Sequence, residues 1–182
     1  MRWEKLFEDL ETQFEAQLAE DARQEVAEGL RVEKARQTLT ERLLWAVGQQ
    51  VVLELPTVGD CRGRLLTVGD GYLSLDCVGK LYVVTFAALR FIRTSSRKLR
   101  RGEASRVSLN AVLRAALRDR SHVQLHACDG THLGSGRLIQ VGADFVELHA
   151  HPLGEFPRSD RPDHQYLLPT ANLGWVVATD WD

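Results

Sequence analysis

The chain has 182 residues, of which 44% are apolar and 26% charged, and its formal net charge is −2. This ordinary globular composition excludes a wholly disordered chain, and the near-zero balance argues against a protein that coats nucleic acid over its whole surface. The basic charge is local instead, because residues 94–120 carry eight basic and two acidic side chains. Such a basic block is a candidate binding site for an anionic partner.

The three cysteines, Cys61, Cys77 and Cys128, form no CxxC pair. An odd number of scattered cysteines is typical of reduced thiols in a cytoplasmic protein. The first residues are too charged for a signal peptide, and the longest apolar run, around Leu81–Leu89, is too short to cross a membrane. We therefore expect a cytoplasmic protein that has no membrane contact.

Residues 2–46 have the composition of a helix, with many Ala, Glu, Leu, Gln and Arg residues and no proline. We divide them into an amphipathic helical extension, residues 1–37, and a short helix that packs on the domain that follows. Gly29 is a place where the extension could kink or break. Its first half carries a heptad-like apolar stripe, formed by Trp3, Phe7, Leu10 and Phe14. We predict that this stripe binds a second copy of the chain or another protein.

From Gly48 onward the apolar period changes to two, which is typical of strands. Five short runs separated by Gly- and Asp-containing turns cover residues 51–55, 61–68, 72–77, 80–86 and 88–93. Five short strands with tight turns predict a small, strongly bent barrel. We assign this first barrel to residues 38–93.

Residues 94–107 read as a basic linker, after which Ser108 can cap a helix over residues 109–120. Arginine makes bidentate contacts with phosphate, and each phosphate neutralised adds salt-dependent affinity. The residues that we predict to bind nucleic acid are Arg97, Lys98, Arg100, Arg101, Arg106, Arg114 and Arg118. The alternative is a solvated linker, or one that docks on the acidic N-terminal helix.

The strand pattern then returns, and with it an almost repeated phrase. GRLLTVGDGYLSL begins at Gly63, and GRLIQVGADFVEL begins 73 positions later at Gly136. The last strands are offset by 84 positions, and the difference is an insertion at 152–164 that we expect to be an exposed loop. The chain therefore contains two copies of one helix-plus-barrel module, the second over residues 108–182.

A helix followed by five bent strands, with Gly-x-Leu on the second strand at Gly63 and Gly136, resembles the Sm-like (LSm/Hfq-type) small barrels. The whole chain also resembles a group of actinobacterial proteins that begin MRWE-LF-DLE. The resemblance implies a mainly β fold with an N-terminal α-helical segment and two tandem five-stranded SH3-like/Sm-like barrels, each preceded by a helix. It also implies rings built by pairing strands four and five, with RNA bound on the pore side.

The family binds RNA through an Asp after strand two and an Asn at the start of strand three. The matching positions here hold Gly69 and Leu73 in the first copy, and Gly142 and Val146 in the second. The usual pocket therefore does not carry over, and we rest the expectation of RNA binding on the arginines.

All six histidines lie in the second module. Four potential soft-metal ligands could approach one another there, namely His126, Cys128, His149 and His151, and such a set would suit zinc. The alternatives are polar side chains of half-exposed strands, or a pH-sensitive surface. Because the spacing matches no zinc motif, we predict no metal site and no cofactor.

The chain carries no P-loop, GxGxxG, GxSxG or HExxH motif, and Asp144 and Glu147 read as solvated acids rather than an acid–base pair. We therefore predict no catalytic residue and no enzyme. Trp175 and Phe91 occupy equivalent places in the two last strands, and we predict both in the core. Tyr72 and Phe145, equivalent within the repeated phrase, have the same prediction.

The first expectation for function is a non-enzymatic module that binds RNA or another nucleic acid through the arginine-rich linker and helix. The alternative is a protein-interaction scaffold or oligomeric adaptor. In it, the N-terminal helix assembles copies or grips a partner, and edge strands extend a neighbouring sheet.

Overall fold

The computed structural model describes residues 17, 20, 23, 24, 28–32, 34–95, 101–150 and 164–178. The chain divides into two compact units, residues 1–38 and residues 39–182. None of the helices among the described residues has the length and apolarity needed to cross a bilayer.

The described residues of the N-terminal unit are helical up to Arg36, and Gly29 lies within the helical residues 28–32. Exposed ion pairs one turn apart support it, with Arg31 Nη1 3.4 Å from Glu28 Oε2. The helix predicted over 2–46 is interrupted instead at Gln37 and Thr38, which are not helical.

The second unit is mainly β and contains one antiparallel sheet of ten strands in the order β5-β1-β2-β3-β4-β10-β6-β7-β8-β9. It opens with a short helix, α1 (Leu39–Leu43), and a 3₁₀ turn (Leu44–Ala46). The strands of the first half are β1 (Gln50–Leu55), β2 (Gly59–Val68), β3 (Tyr72–Cys77), β4 (Lys80–Thr85) and β5 (Phe91–Arg93). After helix α2 (Leu109–Arg118) come β6 (His122–Ala127), β7 (His132–Val141), β8 (Phe145–Ala150), β9 (His164–Pro169) and β10 (Leu173–Ala178).

The repeated phrase has the same structural role in both halves. A Cβ on Gly63 would stand 2.3 Å from the carbonyl oxygen of Asp76, and one on Gly136 would stand 1.9 Å from that of His149. Only glycine therefore lets β2 approach β3, and β7 approach β8, at these points. A register irregularity follows in each long strand, between Leu65 and Thr67 in β2 and at the equivalent place in β7. Such irregularities bend a strand.

Strands β4 and β10 join the two halves of the sheet and are apolar on both faces. Val84 of β4 and Val177 of β10 lie in the first hydrophobic core, whereas Val83 and Val176 lie in the second. Strands buried on both sides read as continuous apolar runs rather than as an alternation. This explains the sequence LGWVVA in β10, all six residues of which are buried.

Residues 101–107, which the sequence suggested to be a linker, run along the first half of the sheet. The amide of Gly102 donates to the carbonyl of Leu44 at 2.8 Å, and that of Ser105 donates to the carbonyl of Val68 at 2.8 Å. Ser108 then caps α2, as predicted, by accepting from the amide of Ala111 at 3.3 Å. The described part of the stretch is thus fixed by backbone hydrogen bonds.

The turn between β3 and β4 has two residues, Val78 and Gly79, with φ of 54° and 74°. Two positive φ values are the signature of a type I′ turn, which favours Asn-Gly. Valine is branched at Cβ and is strained there, and this side chain is 98% exposed and therefore has almost no packing to lose.

We expect the substitution Val78→Asn to raise the free energy of unfolding by about 1 kcal/mol, because it relieves this strain. Urea denaturation of the two proteins measures the difference. Val58→Asn is the matched control, since Val58 is also an exposed turn valine but lacks a positive φ. An equal gain in the control would show that the φ of Val78 is not the cause.

Candidate binding surfaces

The junction between the two halves is built around Trp175 of β10. Trp175 pairs with Val84 of β4, and its side chain, only 1% exposed, lies in the hydrophobic core of the first half. The hydroxyl of Thr85 lies 3.0 Å from the carbonyl oxygens of both Leu173 and Gly174 and donates across the same junction. The last strand of the second half thus completes the core of the first, and the prediction that Trp175 is a core residue is confirmed.

Phe91, the equivalent of Trp175 in the first half, lies at an outer strand. Its side chain is 43% exposed, so the prediction that it is a core residue is wrong. The physical reason is its neighbourhood: β5 pairs with β1 on one side and has no strand partner among the described residues on the other. Among the described residues, Phe91 therefore has no hydrophobic core of another module to pack into. The guanidinium of Arg93 lies 5.6 Å from the centre of its ring.

Strand β9 forms the opposite edge of the sheet and is also apolar. Leu167 is 69% exposed, and Tyr166 next to it is exposed as well. Leu168 is half-buried against the second core, whereas its equivalent Val84 is completely buried in the first core under β10. The two outer strands thus expose apolar side chains at the positions that are buried at the β4–β10 junction.

We expect Trp175→Ala to lower the free energy of unfolding by about 3–5 kcal/mol, because it leaves a cavity in a core that both halves share. Phe91→Ala is the matched control. At concentrations at which the chain is monomeric, it should lower the free energy of unfolding by less than about 1 kcal/mol. Urea denaturation followed by circular dichroism measures both values. Equal costs would contradict the asymmetry between the two strands.

Four of the predicted nucleic-acid contacts lie in described residues, and all four are exposed: Arg101, Arg106, Arg114 and Arg118. The other three lie outside the described residues: Arg97, Lys98 and Arg100. Arg114 donates from Nη2 to the carbonyl of Gly142 at 3.1 Å, which holds α2 near the β7–β8 turn. No carboxylate of the described residues forms an ion pair with any of the four.

The apolar stripe predicted to bind a partner lies entirely outside the described residues: Trp3, Phe7, Leu10 and Phe14. Farther along the same segment, Leu30 and Val32 are described, and both are exposed. The binding role of the stripe stays a prediction.

Two histidines of the second half, His126 and His132, form an aromatic cluster with Trp175. The ring of His126 lies flat on Trp175, with centroids 4.6 Å apart, and His132 meets it edge-on at 4.9 Å. Burial, reinforced by the charge of His132, lowers the pKa of His126. Of the residues that the structure describes, no three His, Cys, Asp or Glu side chains converge as metal ligands would, and His151 is not among them.

From the sequence, the named binding residues lie on the arginine stretch and the N-terminal helix. Pairing of edge strands is expected only as part of the alternative function, and the sequence predicts no binding residue on β5 or β9. The sequence shows that Trp175 and Phe91 are equivalent residues. Only the strand order shows that the strand of Trp175 lies between two others, whereas the strand of Phe91 is at the end of the sheet. Comparison of the chain with protein-family models and with curated protein sequences finds no match.

Proposed function

We propose that this protein is a self-assembling scaffold, in which β9 of one copy pairs with β5 of the next. Each chain would then contribute two tandem Sm-like modules to a continuous sheet. The observation that carries the proposal is the contrast between equivalent residues. Trp175 is 1% exposed in a neighbouring core, whereas Phe91 is 43% exposed on a strand that, among the described residues, has a partner on one side only. An exposed apolar edge strand is a template for pairing with another chain.

The internal junction supplies the register of the proposed contact. At that junction Trp175 pairs with Val84, and Val176 pairs with Val83. Applying the 84-residue offset of the last strands to both residues of the first pair places Phe91 of one copy opposite Leu168 of the next. Ile92 then lies opposite Leu167 in the same antiparallel sense.

The exposed side chains fit this arrangement. Val83, which is equivalent to Leu167, is 5% exposed because β10 and the second core cover it. Pairing with β5 would remove Leu167 from water in the same way, and Phe91 would enter the second core beside Leu168. Burying such side chains contributes roughly 1.5–3 kcal/mol each before the cost of association.

A hydrogen bond between equivalent turns of the two halves favours a closed ring over a helical filament. The hydroxyl of Thr57, in the β1–β2 turn, donates to the carbonyl of Gly130, in the β6–β7 turn, at 3.0 Å. Thr57 and Gly130 are equivalent positions, so the rotation and translation that superpose the first half on the second carry one onto the other. Because the two residues are in contact, they lie near the rotation axis, and the translation along that axis is no larger than the distance between them. A head-to-tail interface with little rise closes into a ring when its rotation divides a full turn.

The test uses two edge variants, Phe91→Lys and Leu167→Lys. Each places a charge in the proposed interface, so each alone should be a monomer by light scattering, whereas the unaltered chain is larger. Phe91→Lys keeps an intact β9, and Leu167→Lys keeps an intact β5. An equimolar mixture of the two should therefore form a dimer and nothing larger.

Ile139→Lys is the matched control, because Ile139 is an exposed apolar residue on β7, which has a strand partner on both sides. Its assembly should equal that of the unaltered chain. A monomeric unaltered chain at high concentration would refute the proposal. A dimer formed by Leu167→Lys alone would show instead that β5 pairs with itself.

Nucleic-acid binding is a second candidate, favoured by the exposed arginines that have no ion-pair partner among the described carboxylates. Arg101 and Arg106 lie on the segment that is hydrogen-bonded to the first half, and Arg114 and Arg118 lie one turn apart on α2. Arginines without a neighbouring carboxylate can pair with the phosphates of a nucleic acid, and each such pair releases counterions from its backbone.

The test for this candidate is the affinity of Arg101→Glu/Arg106→Glu for labelled single-stranded RNA at several salt concentrations. We expect weaker binding and a salt slope that falls by about one per arginine removed. Arg137→Glu, which changes an exposed arginine of β7 outside the basic stretch, is the control and should bind as the unaltered chain does. Equal binding by all three proteins would exclude these arginines as the contact.

A further inference from the structure

Two of the three cysteines meet inside the first half of the sheet. Cys61 lies on β2 and Cys77 is the last residue of β3, and their Sγ atoms are 3.3 Å apart. Arg64 pairs with Asp76, so Cys77 follows at the level of Gly63, and Cys61 is its diagonal neighbour on the same face. Because Gly63 has no side chain, nothing at that position separates the two thiols.

The two thiols differ in their surroundings. Cys61 is buried, with 5% of its surface exposed, whereas Cys77 is half-exposed at the end of its strand. The thiol of Cys77 donates to the carbonyl of Arg62 at 2.7 Å. Burial, followed by the hydrogen bond with Cys77, raises the pKa of Cys61 to about 12. Cys77 is therefore the thiol that a dissolved oxidant reaches first.

We propose that Cys61 and Cys77 form a reversible oxidation site, which a peroxide converts into an intramolecular disulfide. The carrying observation is the separation of 3.3 Å between two sulfur atoms on adjacent strands. A disulfide bond of about 2.05 Å requires them to approach by little more than 1 Å. The site belongs to the first half alone, because the equivalent positions of the second half are Gly134 and Ala150.

The chemistry balances with hydrogen peroxide as the oxidant. The sulfur of Cys77 attacks one peroxide oxygen, the O–O bond breaks, and a sulfenic acid and one water form. The sulfur of Cys61 then attacks the sulfenic sulfur, the S–O bond breaks, and the second water leaves with the proton of Cys61. Two thiols thus lose two electrons and two protons to one peroxide, and a thiol reductant reverses the change.

The disulfide would tie β2 to β3 across a separation of 16 residues. Both cysteines pack against the core that also contains Trp175, so the cross-link would stabilise the half of the sheet on which the junction depends. A loop of this length lowers the population of unfolded chains on the order of a hundredfold. This inference is independent of the proposed assembly, since neither cysteine lies on an outer strand.

The test treats the full chain carrying Cys128→Ser with an equimolar amount of hydrogen peroxide and then blocks the remaining thiols. We expect a mass loss of two hydrogen atoms, no blocked cysteine, and a tryptic fragment in which residues 43–62 are joined to residues 65–80. The unfolding equilibrium should shift on the order of a hundredfold toward the folded state and return after dithiothreitol.

Cys77→Ser in the same background is the control, and it should show neither the cross-link nor the shift in stability. The proposal is overturned if Cys77 gains oxygen without cross-linking, if the chains join to one another, or if the cross-linked protein is no more stable than the reduced one. It is also overturned if the unaltered chain oxidises at Cys128 while Cys61 and Cys77 stay reduced.

Discussion

The pairing of β4 with β10 is the interaction on which the rest of the second unit depends. It makes one sheet out of two repeated halves, and it places both strands between two hydrophobic cores. Trp175 enters the core of the half to which its own strand does not belong. Neither half can therefore bury its apolar surface fully without the other, which is the usual condition of stacked repeats.

A junction of this kind has a geometric consequence at the ends of the sheet. Because the first half offers β4 and the second half offers β10, the strands left at the edges are β5 and β9, which are equivalent to β10 and β4. The two edges are thus different from each other, and pairing of β9 with β5 of another copy would be head to tail. Exposed Phe91 and Leu167 are the residues that this arrangement leaves without cover from a second module.

The basic stretch and the cysteine pair are features of particular halves that the repeat does not explain. Residues 101–107 are held along the first half by backbone hydrogen bonds, so the side chains of Arg101 and Arg106 extend from a fixed segment of its surface. Cys61 and Cys77 have no counterparts in the second half. The repeat therefore accounts for the architecture of the sheet, whereas the basic stretch and the cysteine pair arise from differences between the two copies.

The sequence by itself determined the strands, their turns, the duplication and the cap of α2. These follow from local rules: the alternation of apolar residues, glycine where strands approach closely, and a serine before a helix. Only the tertiary structure decided that Phe91 is exposed although its equivalent Trp175 is buried as predicted, that residues 101–107 are docked, and that Cys61 meets Cys77. These outcomes depend on which strands become neighbours and in which register, and a local pattern specifies neither. Trp175 meets Val84, a partner 91 positions away, and Cys61 and Cys77 meet only because the register of β2 and β3 brings them to one face.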